Sequence, residues 1–216
     1  MARVSRETPG DREAVLARLD ASDEVARRLD AFVALLARWS ARINLVAPST
    51  LPEVWTRHVE DAAQLLPLAP PAAQRWIDLG SGAGLPGLVV AACAAERRPG
   101  IEMTLVESDG RKAAFLRAAA AEMGLDVAVE ARRIEALAPR TVDVVSARAL
   151  SRLTRLLAQA EPFLAPATVA LFPKGATWRD ELTAARAHWN MRVDAPPSAT
   201  HPDAVVLRLS EIARVA

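Results

Sequence analysis

DLGSGAGLPG, residues Asp78–Gly87, follows the apolar pair Trp76–Ile77 and governs how the rest of the chain is read. Four glycines fall within ten positions, with an acid at one end and a proline near the other. Glycine takes positive φ and lets another group approach the main chain, at roughly 0.5–1 kcal/mol per residue relative to alanine in regular structure. Such a run between an apolar strand and an apolar helix has the form of a strand-to-helix turn in an open α/β sheet. Ligands bind there, beyond the carboxyl ends of the strands.

Downstream of this turn, short apolar runs alternate with helix-length segments. RWIDL (75–79), MTLVE (103–107), VAVEA (127–131), VDVVSA (142–147), TVALFP (168–173) and AVVLRL (204–209) read as strands. Segments 85–95, 110–123, 151–161 and 177–188 read as helices. That alternation predicts an α/β fold whose sheet is mostly parallel and covered on both faces. The last strand follows a short polar, proline-rich stretch and is expected to run antiparallel. Upstream, 11–66 reads as helical. VARRLDAFVALLARW (25–39) places Leu29, Phe32, Val33, Leu36 and Trp39 on one face at three- and four-residue steps. Thr50-Leu51-Pro52-Glu53 has the form of a capping box that opens another helix toward Leu66. PLAPPAAQ (67–74) is the connector, which divides the chain into a helical N-terminal lobe (1–70) and a ligand-binding domain (71–216).

Two ligand classes fit the turn. Gly82-Ala83-Gly84-Leu85-Pro86-Gly87 satisfies the dinucleotide pattern G-x-G-x-x-G, and Glu107 lies about twenty residues on, where a ribose-binding acid belongs. That pattern should start as the strand ends, however. Counted from Leu79, the glycine positions hold Gly80, Gly82 and then Leu85. The alternative is Asp78-x-Gly80-x-Gly82-x-Gly84, the arrangement of S-adenosylmethionine enzymes. An acid at the strand end suits a cationic amino group and repels a pyrophosphate, so Asp78 favours the sulfonium cofactor. Glu107, ending the second strand in VESDGRKAAFLR, is placed to accept hydrogen bonds from ribose hydroxyls, with Asp109 as a competitor. A tight turn with no ligand is the third reading.

DLGSGAGLPG, VESDGRKAAFLR, RRIEAL, VVSARAL and LFPKG, in this order and spacing, resemble the bacterial small-subunit ribosomal RNA guanine-N7 methyltransferase family, also called glucose-inhibited division protein B. WSARINLVAPS (39–49) and RHVEDAAQLL (57–66) extend the resemblance into the N-terminal lobe. It implies a class I, Rossmann-like methyltransferase sheet and S-adenosyl-L-methionine as cofactor. By matching motif, the contacts would be Gly80 and Leu85 at the turn, Ile134 and Glu135 beside the adenine, and Arg148 after the fourth strand. Asp78, Gly82, Gly84 and Glu107 follow from the general fold. The implied substrate is small-subunit (16S) ribosomal RNA, free, in an assembly intermediate or in the 30S subunit. Ser40, Ala47, Ala62 and Ala167 depart from the family's usual wording, all outside the expected pocket. Two alternatives remain open: a methyltransferase acting on a small molecule or protein, and a dinucleotide-binding oxidoreductase or module.

Chemistry narrows the acceptor. Carbon-5 methylation of cytosine needs a cysteine nucleophile, and Cys93, the only cysteine, sits inside an apolar helical run. Amine methylation of adenine usually uses an Asn/Asp-Pro-Pro-aromatic loop after the fourth strand. Here that segment is Ser146-Ala147-Arg148-Ala149-Leu150. Guanine N7 carries an in-plane lone pair and no proton, so no general base is expected. Orientation alone can supply roughly 7–11 kcal/mol of a barrier, with Arg148 and Lys174 as positioning candidates.

The chain's 216 residues, 51% of them hydrophobic, suffice for a real core, and a net charge of +1 names no partner. From Arg132 to Arg155, however, six arginines face two acids. That local excess suits RNA phosphates and makes Arg132, Arg133, Arg152 and Arg155 contact candidates. Lys174, in FPKG after the fifth strand, borders the same cleft. His58 in RHVED is read either as a substrate contact or as part of a salt-bridged joint between lobes. No His, Asp or Glu spacing suggests a metal. A single cysteine excludes an internal disulfide and fits a reducing cytoplasm. MARVSRETPGDRE lacks the apolar core of a signal peptide, and GLVVAACAA (87–95) is too short to span a bilayer. The expectation is a cytoplasmic protein with no membrane partner, and nothing in the sequence demands more than a monomer.

Overall fold

A computed structural model describes residues 9–215. Residues 1–8, where the signal-peptide reading begins, and Ala216 lie outside that range. Seven strands form one sheet in the order β3-β2-β1-β4-β5-β7-β6: β1 Arg75–Leu79, β2 Glu102–Val106, β3 Val127–Glu130, β4 Val144–Ser146, β5 Val169–Lys174, β6 Trp189–Asp194 and β7 Val205–Arg214. β1 to β5 pair in parallel. β7 runs antiparallel between β5 and β6, as expected of the last strand. β6 was not foreseen. Its side chains alternate between buried or half-buried (Trp189, Met191, Val193) and exposed (Asn190, Arg192, Asp194), and half of WNMRVD is polar. The helical reading ran on to His188 and absorbed the strand's approach.

Period-two alternation along the strands feeds two cores. On one face Trp76, Leu105, Val144 and Leu171 pack with the helices α1 (Pro9–Arg18), α2 (Asp23–Ser40), α4 (Gly87–Arg97) and α5 (Gly110–Met123). On the other, Ile77, Val106, Val145 and Phe172 pack with α6 (Leu153–Ala160) and α7 (Trp178–Arg186). The stripe read from 25–39 forms: Leu29, Phe32, Val33 and Leu36 are buried. Phe32 and Trp39 both meet the Phe115 ring of α5, at 6.5 and 5.6 Å between centroids. Each such fully buried side chain contributes roughly 1.5–3 kcal/mol. The N-terminal helices therefore share one continuous core with α4 and α5.

Between α2 and β1 the chain departs from the expectation of one capped α-helix. Pro48–Glu53 is a 3-10 segment and Trp55–Glu60 a π-helix that runs into a single α-turn, α3 (Asp61–Ala63). Thr50 does not cap a helix. Its hydroxyl donates to the Ala47 carbonyl at 2.7 Å. Two prolines, Pro48 and Pro52, lie within this six-residue segment, and each lacks the N–H that an α-ladder would need.

Candidate active site

The strand order reverses between β1 and β4, the position at which open α/β sheets bind ligands. The glycine turn occupies this point. Gly80, Gly82 and Gly84 all have positive φ, at +65°, +51° and +76°. The turn closes on itself: Ser81 N–H reaches the Val106 carbonyl, and Gly84 and Leu85 N–H both reach the Ser81 carbonyl. Leu88 N–H goes to the Gly84 carbonyl. A dinucleotide pyrophosphate needs such N–H groups free at the helix start, and here those of Gly82, Gly84, Leu85 and Leu88 are spent within the protein.

Only one of the four glycines faces open space. A Cβ on Gly84 would lie 2.4 Å from Leu88 Cδ1, and one on Gly87 2.4 Å from Leu105 Cδ2. A Cβ on Gly80 would meet Leu150 at 2.6 Å, whereas one on Gly82 meets nothing closer than 3.8 Å. The turn is glycine-rich chiefly to pack against its own fold, and Gly82 is the one whose Cβ would stand in open space.

Asp78 lies beneath the turn rather than on a cavity wall. It is fully buried, and its Oδ1 accepts the Ser146 hydroxyl at 2.6 Å, while Ser146 in turn accepts the Trp76 indole N–H. Oδ2 has no hydrogen-bond partner among the described residues. Burial pushes the carboxyl up to about 6 against the opposing Ser146 bond. Asp78, expected from the sequence to face a ligand's amino group, is held beneath the turn by Ser146. Glu107 takes a related role from the side. One carboxylate oxygen accepts the Gly82 N–H at 2.9 Å, and the other accepts the Asp109 N–H at 2.8 Å. Glu107 also lines the adjoining cavity. Its competitor Asp109 caps α5 through the Arg111 and Lys112 N–H groups.

That first cavity, about 640 Å³, is walled by Gly80, Gly82, Leu85, Glu107, Ile134, Glu135 and Arg148. Of the nine cofactor candidates read from the sequence, it gathers all but Asp78 and Gly84. Lys112, Arg132, Arg133 and Arg155 add positive charge to its rim. Sequence reasoning missed Asn44–Ala47, which close the cavity from the N-terminal side. Their position depends on α2 docking against α5, which no local pattern shows.

A second cavity, about 460 Å³, lies across a wall formed by Arg148, Ala149 and Leu150. Ala149 has φ +54°, a left-handed conformation that alanine seldom adopts. Asp61, Arg152, Lys174 and Glu181 line this second space. Lys174, expected beside the substrate, is engaged inside the protein: its ammonium donates to Glu181 at 2.8 Å and to the Ser151 carbonyl at 3.0 Å. Burial raises the Glu181 pKa, but the Lys174 and Leu153 hydrogen bonds outweigh it, and the carboxyl ends below its ordinary value.

His58 is also internal, buried between Arg148 and Thr50. Arg148 donates to Asp61 at 2.9 Å and to His58 Nδ1 at 3.3 Å. Asp61 further accepts from Thr200 and Gln64. Arg57, its neighbour in RHVED, pairs instead with Glu53 at the surface. A third cavity, about 610 Å³, opens on the far side of His58, Asp61 and Arg148. The network is thus the joint between the N-terminal lobe, the loop after β4 and the 198–200 segment.

A sheet of this order, with a glycine turn after its first strand and a buried acid ending its second, defines a class I methyltransferase. Its fold is shared with an assigned O-methyltransferase from Klebsiella pneumoniae (TM-score 0.58, 14% identity, 94% of this chain and 96% of that one). It is shared also with a single-residue mutant of MtNAS in complex with S-adenosylmethionine (TM-score 0.54, 16% identity, 92% of this chain and 83% of that one). Residues 25–202 match the family described as rRNA small subunit methyltransferase G. A relative of that name from Cereibacter sphaeroides is 50% identical over 203 residues, 94% of this chain and 98% of the relative. The chain belongs to this family of methyltransferases.

Proposed function

We propose that this chain transfers a methyl group from S-adenosylmethionine to N7 of a guanine in small-subunit ribosomal RNA. The observation that carries the reading is the pair of cavities on either side of the Arg148–Leu150 wall. The first fits the donor. Ile134 and Leu85 offer apolar surface for an adenine, and the Glu107 carboxylate stands at its edge for a ribose diol. When bound, S-adenosylmethionine supplies an electrophilic methyl on a sulfonium.

The second cavity has room for a nucleobase and, among the described residues, holds no free base. Asp61 is engaged by Arg148, and Glu181 by Lys174. Cys93 is buried away from both cavities, and burial pushes its thiol up to about 11. An acceptor there must bring its own lone pair, as N7 does. The chain's contribution is then to hold the acceptor in line and exclude water, which is where orientation yields its largest effect. Exposed Arg132, Arg133 and Arg155 at the first rim and Arg152 at the second would take RNA phosphates.

Calorimetry with S-adenosylmethionine and with its demethylated product should show saturable binding. Labelled donor incubated with unmodified small-subunit RNA or 30S subunits should place one methyl on a guanine whose chain then cleaves after reduction and aniline treatment. Donor binding without incorporation into any RNA form would overturn the substrate assignment, and label on another atom would overturn the N7 assignment.

A further inference from the structure

His58 sits at the centre of a hydrogen-bond chain that crosses the lobe joint, and chemistry fixes its direction. The Arg148 guanidinium has donors only, so at 3.3 Å it must donate to Nδ1. Nδ1 therefore carries the lone pair, and the neutral ring holds its proton on Nε2. Nε2 lies 2.8 Å from the Thr50 hydroxyl, which it must then serve as donor. That hydroxyl spends its own proton on the Ala47 carbonyl at 2.7 Å. The Thr50 N–H reaches the same carbonyl at 2.9 Å. Arg148 to His58 to Thr50 to Ala47 is a single run with every donor matched to an acceptor.

The two ends of this run lie on different walls. Arg148 stands between the first and second cavities, while Ala47 belongs to the Asn44–Ala47 segment closing the first. Asp61 holds the guanidinium from the other side and is itself tied to Thr200 and Gln64. Arg148 thus has two anchors, and His58 is the one that also reaches the donor cavity.

We propose that His58 is a two-armed positioning residue: its Nδ1 fixes Arg148 at the wall facing the acceptor, and its Nε2–H, through Thr50, fixes Asn44–Ala47 over the methyl donor. The proposal rests on the functional reading above. His58 touches neither substrate. It acts by setting the geometry of groups that do, so its two arms affect two different steps.

The arms can be cut one at a time. In His58→Asn the amide oxygen occupies the place of Nδ1, keeping an acceptor for Arg148 but falling short of Thr50. In His58→Gln the amide nitrogen occupies the place of Nε2, keeping a donor for Thr50 but leaving Arg148 anchored by Asp61 alone. One lost hydrogen bond corresponds to roughly a tenfold effect. His58→Asn should therefore weaken donor binding about tenfold while lowering kcat for RNA methylation far less. His58→Gln should lower kcat about tenfold, with donor Kd weakened clearly less than in His58→Asn because Asp61 still holds Arg148. Thr50→Val, which cuts the second arm without touching His58, should reproduce the Asn pattern.

Equal losses in both parameters for both His58 variants, or no loss in either, would overturn the proposal in favour of a purely packing role. If either His58 variant fails to fold, as shown by its thermal midpoint, Thr50→Val decides: tighter or unchanged donor binding would overturn the second arm. Wild-type protein in the same assays separates this from the broader reading. Absence of methyl transfer there defeats the function, whereas an active wild type with unsplit variants defeats only the role of His58.

Discussion

The glycine turn at 78–87 and the joint around Arg148 are both buried, both adjoin the first cavity, and are built by opposite means. The turn is a main-chain device, shaped by positive φ at three glycines and closed by its own N–H groups. Glu107 braces it through the Gly82 N–H, and the buried Asp78 carboxylate holds the Ser146 hydroxyl beneath it. The joint is a side-chain device, in which residues 50, 58, 61, 64, 148 and 200 meet through hydrogen bonds across more than a hundred positions. A main-chain device tolerates almost no added atoms but survives the loss of charge. A side-chain device tolerates shape changes and depends on protonation. The predictions below test that division, from the largest effect down.

Gly84→Ala should be the most damaging. Its Cβ would stand 2.4 Å from Leu88 Cδ1 and 2.9 Å from Leu88 Cγ, at φ +76°. Overpacking and left-handed strain together amount to about 2–4 kcal/mol. Gly82→Ala has the same backbone problem, at φ +51°, but open space around the new methyl. It should cost about 1 kcal/mol of stability, while donor binding falls sharply because the methyl enters the cavity. Denaturant midpoints and donor titrations of both variants check this. Equal stability losses would mean that the turn's shape, and not its packing, selected the glycines.

Asp78→Asn asks whether the turn's buried acid matters as shape or as charge. The folded carboxyl titrates near 6, above its ordinary value of 3.8, because burial disfavours the charged form. A raised acid contributes stability that is whole below the unfolded pKa and is lost as pH rises through the folded one. The wild type should therefore lose ground to Asp78→Asn between about pH 4 and 7. At about 1.4 kcal/mol per unit, the shift approaches about 3 kcal/mol. Asn can still accept the Ser146 hydroxyl, so the turn should persist. Urea midpoints at four pH values read the difference, and a pH-independent gap would show that Asp78 keeps its charge throughout.

The same division explains what the sequence made legible. Strand β1, the turn and α4 are contiguous, and their conformations are written in glycine, proline and alternation, so 75–97 was readable to within two residues. Helix α5 was readable at both ends: 110–123 is the observed Gly110–Met123, although the Asp109 cap that starts it was read as a ribose competitor. Arg148, Leu85, Ile134 and Glu135 were placed at the first cavity by family resemblance, and all line it. The joint was barely legible. RHVED showed a candidate cluster, but Asp61 turns to Arg148, 87 positions away, and not to Arg57 beside it. Nothing local marks such a partner. The 3-10 and π segments that aim His58 also imitate a capped α-helix in sequence, and Asn44–Ala47 reach the cavity only because α2 lies across α5.

At the joint, protonation should matter more than shape. Burial, then the Arg148 charge, lower the His58 pKa to about 4, with Asp61 opposing and Arg57 adding slightly to the decrease. Asp11, Glu53 and His201 line the adjoining third cavity and complete its titratable surroundings. A depressed histidine contributes stability that is whole above its ordinary value of 6.5 and is lost as pH falls toward the folded value. Wild type should lose about 2 kcal/mol between pH 6.5 and 4 relative to His58→Asn, less than the full linkage value because water reaches the site through that cavity. Parallel stability–pH curves for the two proteins would show that the histidine titrates normally.

The smallest effect on stability belongs to a region outside both devices. Arg133 and Arg155 are exposed on the rim of the first cavity, and among the described residues neither forms a salt bridge. Arg132, beside them, is paired with Glu130 at 3.1 Å. Replacing Arg133 or Arg155 by alanine should change stability by less than about 0.5 kcal/mol, since neither holds the fold together. RNA affinity should fall, and the slope of log affinity against log salt should shallow by roughly 0.7–1 for each arginine that contacts a phosphate. Arg132→Ala should shallow it less, because its charge is partly spent on Glu130. Filter binding of small-subunit RNA across a salt series measures all three. Unchanged slopes for Arg133 and Arg155 would move the RNA path off this rim and toward Arg152 at the second cavity, on the far side of the wall that Arg148 holds.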